Sequence, residues 1–80
     1  MARTHTIDIR AEMVANVLEL PLAVGDRVET GDTVVLLESM KMEIPVLAEA
    51  AGVVTAVRVA VGDVVQEGDP LVTLEPTFVG

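Results

Sequence analysis

The sequence has 80 residues, enough for one domain and too few for two. Its 13 acidic and 5 basic residues give a formal net charge of −8, which repels phosphate backbones and anionic lipid surfaces and argues against nucleic-acid or membrane partners. Aromatic residues make up only 1%, too few for base stacking, and the lack of cysteine excludes a disulfide framework or a thiolate zinc site, so hydrophobic packing must hold the fold.

From the start of the chain, Met1-Ala2-Arg3-Thr4-His5 has no apolar core and does not read as a signal peptide. With no cysteine usage pointing to an oxidising compartment, a cytoplasmic location is the expectation. The mean hydropathy of +0.57 is high, yet the most apolar stretch, residues 53–61, is interrupted by Arg58. Nothing approaches the roughly 18 uncharged apolar residues of a spanning helix. The reading is a domain without a membrane span.

Valine is abundant, and β-branched residues favour strands. Short strands are predicted over residues 6–9, 13–20, 27–29, 33–38, 42–46, 53–59, 64–66 and 71–74. Gly25-Asp26, Gly31-Asp32, Gly62-Asp63 and Gly68-Asp69 punctuate them as turns. No segment carries a helical stripe.

A shift of 37 positions lays Ala23-Val24-Gly25-Asp26 on Ala60-Val61-Gly62-Asp63, Val28 on Val65, Gly31-Asp32 on Gly68-Asp69 and Leu37-Glu38 on Leu74-Glu75. One copy is too small to enclose a core. Two copies packed about an approximate two-fold axis predict an all-β sandwich or flattened barrel of about eight strands. The same rotation carries the junction between copies, Glu38-Ser39-Met40-Lys41, onto the region of the chain ends. Lys41 therefore belongs at the tip farthest from the termini.

The junction must reverse direction, yet residues 37–45 contain no Gly, Asn or Asp to announce a tight turn. A primed turn would place Met40 or Lys41 at positive φ. Methionines flanking a lysine at an exposed tip suggest a partner surface that covers them. The competing reading makes Lys41 an ordinary surface lysine, with both methionines folded back into the barrel.

Glu38-Ser39-Met40-Lys41-Met42-Glu43 resembles the attachment signature of biotin carboxyl carrier domains, usually written Ala-Met-Lys-Met. The resemblance extends over nearly the whole chain, through the paired GDxVxxGD elements, Pro45 and Ala51-Gly52. It is nearest to small stand-alone biotinylated carriers. Ser39 departs from the usual Ala but keeps a small side chain. The resemblance implies a flattened barrel (a barrel-sandwich hybrid) of two four-stranded antiparallel sheets with quasi-two-fold symmetry and the lysine on a protruding hairpin. It implies biotin as a covalent cofactor on Lys41, attached by a biotin protein ligase. It also implies transfer of carboxyl groups from a biotin carboxylase to a carboxyltransferase acting on an acyl-CoA or 2-oxo acid. Met40 and Met42 are the expected recognition residues, with Ser39, Glu38 and Glu43 beside them. The domain is expected to be a carrier without catalytic residues of its own, and a monomer in isolation.

Other readings are weaker. A lipoyl carrier of a 2-oxo acid dehydrogenase type system shares the fold, but lipoyl sites usually show Asp-Lys-Ala. An unmodified adaptor module has no reason to retain Met-Lys-Met. His5 is the single histidine, so a catalytic triad or metal site has little support. The Gly-Asp spacing does not match a calcium loop. A single biotinyl domain over residues 1–80 is expected, with flexible ends at 1–4 and 76–80.

Overall fold

All four Gly-Asp pairs build the same turn. Gly25, Gly31, Gly62 and Gly68 have φ between 92° and 97°, a region closed to most side chains. Each following aspartate accepts a hydrogen bond at its Oδ2 from the backbone N–H three residues earlier. The distance is 2.9 Å from Ala23 to Asp26, and 2.8 Å for Glu29 to Asp32, Ala60 to Asp63 and Gln66 to Asp69. The glycine opens the turn and the carboxylate closes it.

Between these turns lie eight strands. The computed structural model describes residues 5–77 and contains β1 (Ile7–Arg10), β2 (Ala15–Glu19), β3 (Arg27–Val28), β4 (Thr33–Ser39), β5 (Met42–Leu47), β6 (Gly52–Val57), β7 (Val64–Val65) and β8 (Pro70–Pro76). They form two four-stranded antiparallel sheets, ordered β1-β8-β6-β3 and β5-β4-β2-β7. This is the flattened barrel expected from the repeat.

The two halves exchange strands. β1 and β3 from the first half complete a sheet around β6 and β8, while β5 and β7 from the second half complete a sheet around β2 and β4. The turns lock the exchange. Gly25 N–H donates to the Val54 carbonyl at 2.8 Å, and Gly62 N–H donates to the Val17 carbonyl at 2.9 Å. Neither half keeps a complete sheet of its own, so the fold is a product of both copies together.

The core obeys the same symmetry. The ten largest fully buried side chains fall into five pairs separated by the repeat: Val17 and Val54, Val28 and Val65, Val34 and Leu71, Val35 and Val72, Leu37 and Leu74. Burial of each contributes about 1.5–3 kcal/mol relative to exposure. Val28 and Val65 reach this core from strands of only two residues.

Several strand limits differ from those expected. β2 starts at Ala15, because Met13 and Val14 lie in a bend and are exposed. β6 begins at Gly52, where a Cβ would run into the backbone carbonyl of Glu75, so only glycine permits this approach. β8 runs from Pro70 to Pro76, longer than residues 71–74. Its end is tied down. Pro76 pairs with Gly52, and Thr77 N–H donates to the Ala51 carbonyl at 3.0 Å, so residues 76 and 77 are not the loose end expected there. Residues 1–4 and 78–80, including Phe78, lie outside the described residues.

Candidate functional site at the β4–β5 hairpin

Strand β4 is anchored by Val34, Val35 and Leu37, each at most 1% exposed. Its partner β5 is held in register by Ile44 opposite Leu37 and Val46 opposite Val35, both packed against the core. Ser39 then faces Met42, which leaves only Met40 and Lys41 to reverse the chain. Two-residue hairpins that follow the natural strand twist use type I′ or type II′ turns, and type I′ has positive φ at both positions. Met40 has φ 53° and Lys41 has φ 66°. Long-range packing thus imposes a type I′ turn on two residues with no intrinsic preference for it, at a cost of roughly 1–2 kcal/mol each.

The hairpin presents all six residues singled out from the sequence. Lys41 is exposed at the turn beside Met40, which is 92% exposed, and Met42 is 63% exposed. The methionines do not fold back into the barrel. Ser39, half-buried, closes the strand end opposite Met42. One step further back, Glu38 lies directly opposite Glu43. Like charges at such a cross-strand pair are unfavourable. Among the described residues the ion pairs are Arg10–Asp8 and Arg27–Glu29, neither of which relieves the hairpin. Asn16 of β2 flanks Glu38 on its other side. The linear sequence gave no signal for Asn16, because a distant strand brings it there.

The tip is convex. The groove of about 310 Å³ between edge strands β1 and β5 is lined by residues such as Ile9, Met13, Ile44 and Val46, and no residue from 38 to 43 lines it. What the tip offers chemically is a primary amine with open access. Such a nucleophile accepts an acyl group that arrives already activated. Among the described residues no group of three or more His, Asp or Glu is placed to hold a metal ion. An unencumbered amine on a protruding turn suits covalent attachment of a carboxylic cofactor through an amide.

The family model described as biotin-requiring enzyme, the biotin/lipoyl model, matches residues 8–74. The chain belongs to the biotin/lipoyl family. A "biotinylated protein TB7.3 homolog" of Mycobacterium leprae is 64% identical over 45 residues, 56% of this chain and 63% of that relative. The match thus spans a little under two thirds of the relative's own length. Among solved structures, a single-chain, multi-domain long-chain acyl-CoA carboxylase contains a segment with TM-score 0.85 and 33% identity, covering 90% of this chain and 7% of that one. The lipoyl domain of the 2-oxoglutarate dehydrogenase complex from Azotobacter vinelandii aligns with TM-score 0.74 and 31% identity, covering 92% of this chain and 99% of that one. A segment of a carboxylase and a lipoyl domain therefore both share this fold.

Proposed function

We propose that this chain is a biotin carboxyl carrier in which Lys41 is the attachment site. The observation that carries the reading is the fully presented Met40-Lys41-Met42 tip on a fold of the biotin/lipoyl family. The name of the mycobacterial relative supports biotin over lipoate, as does methionine on both sides of the lysine. A biotin protein ligase activates biotin as its adenylate. The Lys41 amine attacks the acyl carbon, a C–N bond forms, the bond to AMP breaks, and the amine loses a proton. Removing one positive charge takes the formal charge from −8 to −9.

The attached biotin supplies the capacity to take up a carboxyl group at a biotin carboxylase and release it at a carboxyltransferase. The chain's own part is mechanical. The barrel is a rigid handle, the turn holds Lys41 clear of it, and tethering raises the local concentration of the carried group at both sites. Met40 and Met42 give apolar, adaptable contact surface to the enzymes that grip the tip. Glu38 and Glu43 offer paired negative charge to basic groups there. Ser39 keeps the strand end narrow. No residue of the chain acts catalytically in this reading, and the carrier works in the cytoplasm.

The test is modification of wild type and Lys41→Arg by a biotin protein ligase with biotin and ATP. Wild type is expected to gain one biotinyl group and Lys41→Arg none, with thermal midpoints within about 2 °C because the site is exposed. Biotinylation of Lys41→Arg would place the site elsewhere.

A further inference from the structure

The repeat relates the two halves of the core but fails on the outer faces of the sheets. On the sheet β1-β8-β6-β3, the Thr73 hydroxyl donates to Asp8 Oδ1 at 2.8 Å and accepts from Arg58 Nε at 3.2 Å. The Thr55 hydroxyl donates to the Thr73 carbonyl at 3.3 Å, and Arg10 pairs with Asp8 at 3.2 Å. A shift of 37 converts Thr73, Asp8, Arg58, Thr55 and Arg10 into Leu36, Pro45, Pro21, Leu18 and Leu47. Every member of the polar network has an apolar counterpart on or beside the sheet that bears Lys41.

These counterparts face outward. Leu36 lies between Glu19 and Pro45 in the sheet, and its neighbour Leu37, 1% exposed, takes the core side. Leu18 and Leu36 are half-buried yet do not pack against the core, and Leu47 is 47% exposed. Glu19, Glu38 and Glu43 rim the patch, and at its β5 edge Leu47 shares a groove with Asp8, Arg10, Glu12 and Glu49. An apolar face bordered mainly by carboxylates, continuous with the hairpin that ends in Lys41, has the form of an interaction surface.

We propose that this face docks the enzyme that acylates Lys41, a partner presenting an apolar centre ringed by Arg or Lys side chains. The inference rests on the carrier reading above. Charge complementarity favours such a partner and disfavours a second copy of this chain, which would bring the same Glu19, Glu38 and Glu43 against their equivalents. Reach favours the acylating enzyme. It must bring its activated acyl group to the bare amine of an unextended lysine, so it closes onto the hairpin and the face behind it. Enzymes acting on the acylated, longer arm work farther from the sheet.

Steady-state biotinylation of the full chain by a biotin protein ligase, with biotin and ATP saturating and the carrier varied, tests this. Leu18→Thr and Leu36→Thr install the kind of residue that the counterpart positions already tolerate, and each is expected to raise KM on the order of tenfold. Leu47→Arg is expected to raise KM more than Leu47→Glu, because cationic charge then meets cationic charge. Thr55→Val on the opposite sheet leaves KM unchanged. Leu47 is exposed, so its variants read docking even if Leu36→Thr lowers the thermal midpoint. An unchanged KM for Leu47→Arg overturns the proposal. So does a dimer of wild type that Leu47→Arg dissociates without changing KM, which would assign the face to a second copy. Failure of wild type to accept biotin at all overturns the carrier reading, and the docking proposal falls with it.

Discussion

The turn that presents Lys41 is held against its own preference, and relieving it should stabilise the protein. Met40→Asn combined with Lys41→Gly places the residues most favoured in a type I′ turn at the two positions with φ 53° and 66°. Neither wild-type side chain adds core packing, since Met40 is 92% exposed and Lys41 is exposed. The left-handed conformation costs an ordinary residue roughly 1–2 kcal/mol. Glycine gives back about 0.5–1 kcal/mol through the greater freedom of its unfolded state, and asparagine removes only part of the strain. The net gain is about 1 kcal/mol, or roughly 4–8 °C in thermal midpoint for a domain of this size. Tryptophan and tyrosine are absent, so far-UV circular dichroism in thermal and urea titrations is the appropriate assay. The urea slope should stay constant, because no buried surface changes. A midpoint that falls or does not move would refute the claim that packing forces strain onto this turn.

Three further outcomes follow from the packing and the repeat. Gly52→Ala drives a Cβ into the Glu75 carbonyl between β6 and β8 and should cost about 3 kcal/mol, visible as a collapse of the melting midpoint; a near-neutral result would contradict the close approach. Asp26→Ala and Asp63→Ala each remove the acceptor that closes a turn, at 2.9 and 2.8 Å, and should cost about 1 kcal/mol apiece in urea titrations. A large inequality between them would break the equivalence of the two halves. Leu37→Ala and Leu74→Ala, both 1% exposed and related by the repeat, should each cost about 2–5 kcal/mol. A loss below 1 kcal/mol at either would show that its core position is not filled as described.

Much of the fold was legible because valine runs and Gly-Asp pairs are local signals, and because the 37-residue repeat forced a symmetric solution. The exchange of strands between halves was not, since it depends on pairings such as β3 with β6 that no local pattern encodes. The extra length of β8 is not legible, because proline disfavours strand interiors, whereas Pro70 opens this strand and Pro76 ends it. At the site, Lys41 and its neighbours stood out through their motif, while the turn itself lacked every usual marker; its geometry comes from Leu37, Ile44 and Val46 fixing the register from below. Met13 and Val14 are apolar enough for a strand yet lie exposed in a bend. The asymmetry of the outer faces was present in the sequence, in the pairs Thr73/Leu36 and Asp8/Pro45, but gains meaning only once those residues are known to face outward.

Site-resolved mass spectrometry decides between biotin and lipoate as the group proposed for Lys41. Equal samples are incubated with a biotin protein ligase plus biotin and ATP, or with a lipoyl-transfer system, then measured intact and after digestion. One biotinyl group, confined to the peptide carrying Lys41, is expected, with little or no lipoylation. Efficient lipoylation at Lys41 with no biotin added would contradict it and assign the chain to the lipoyl branch of its family.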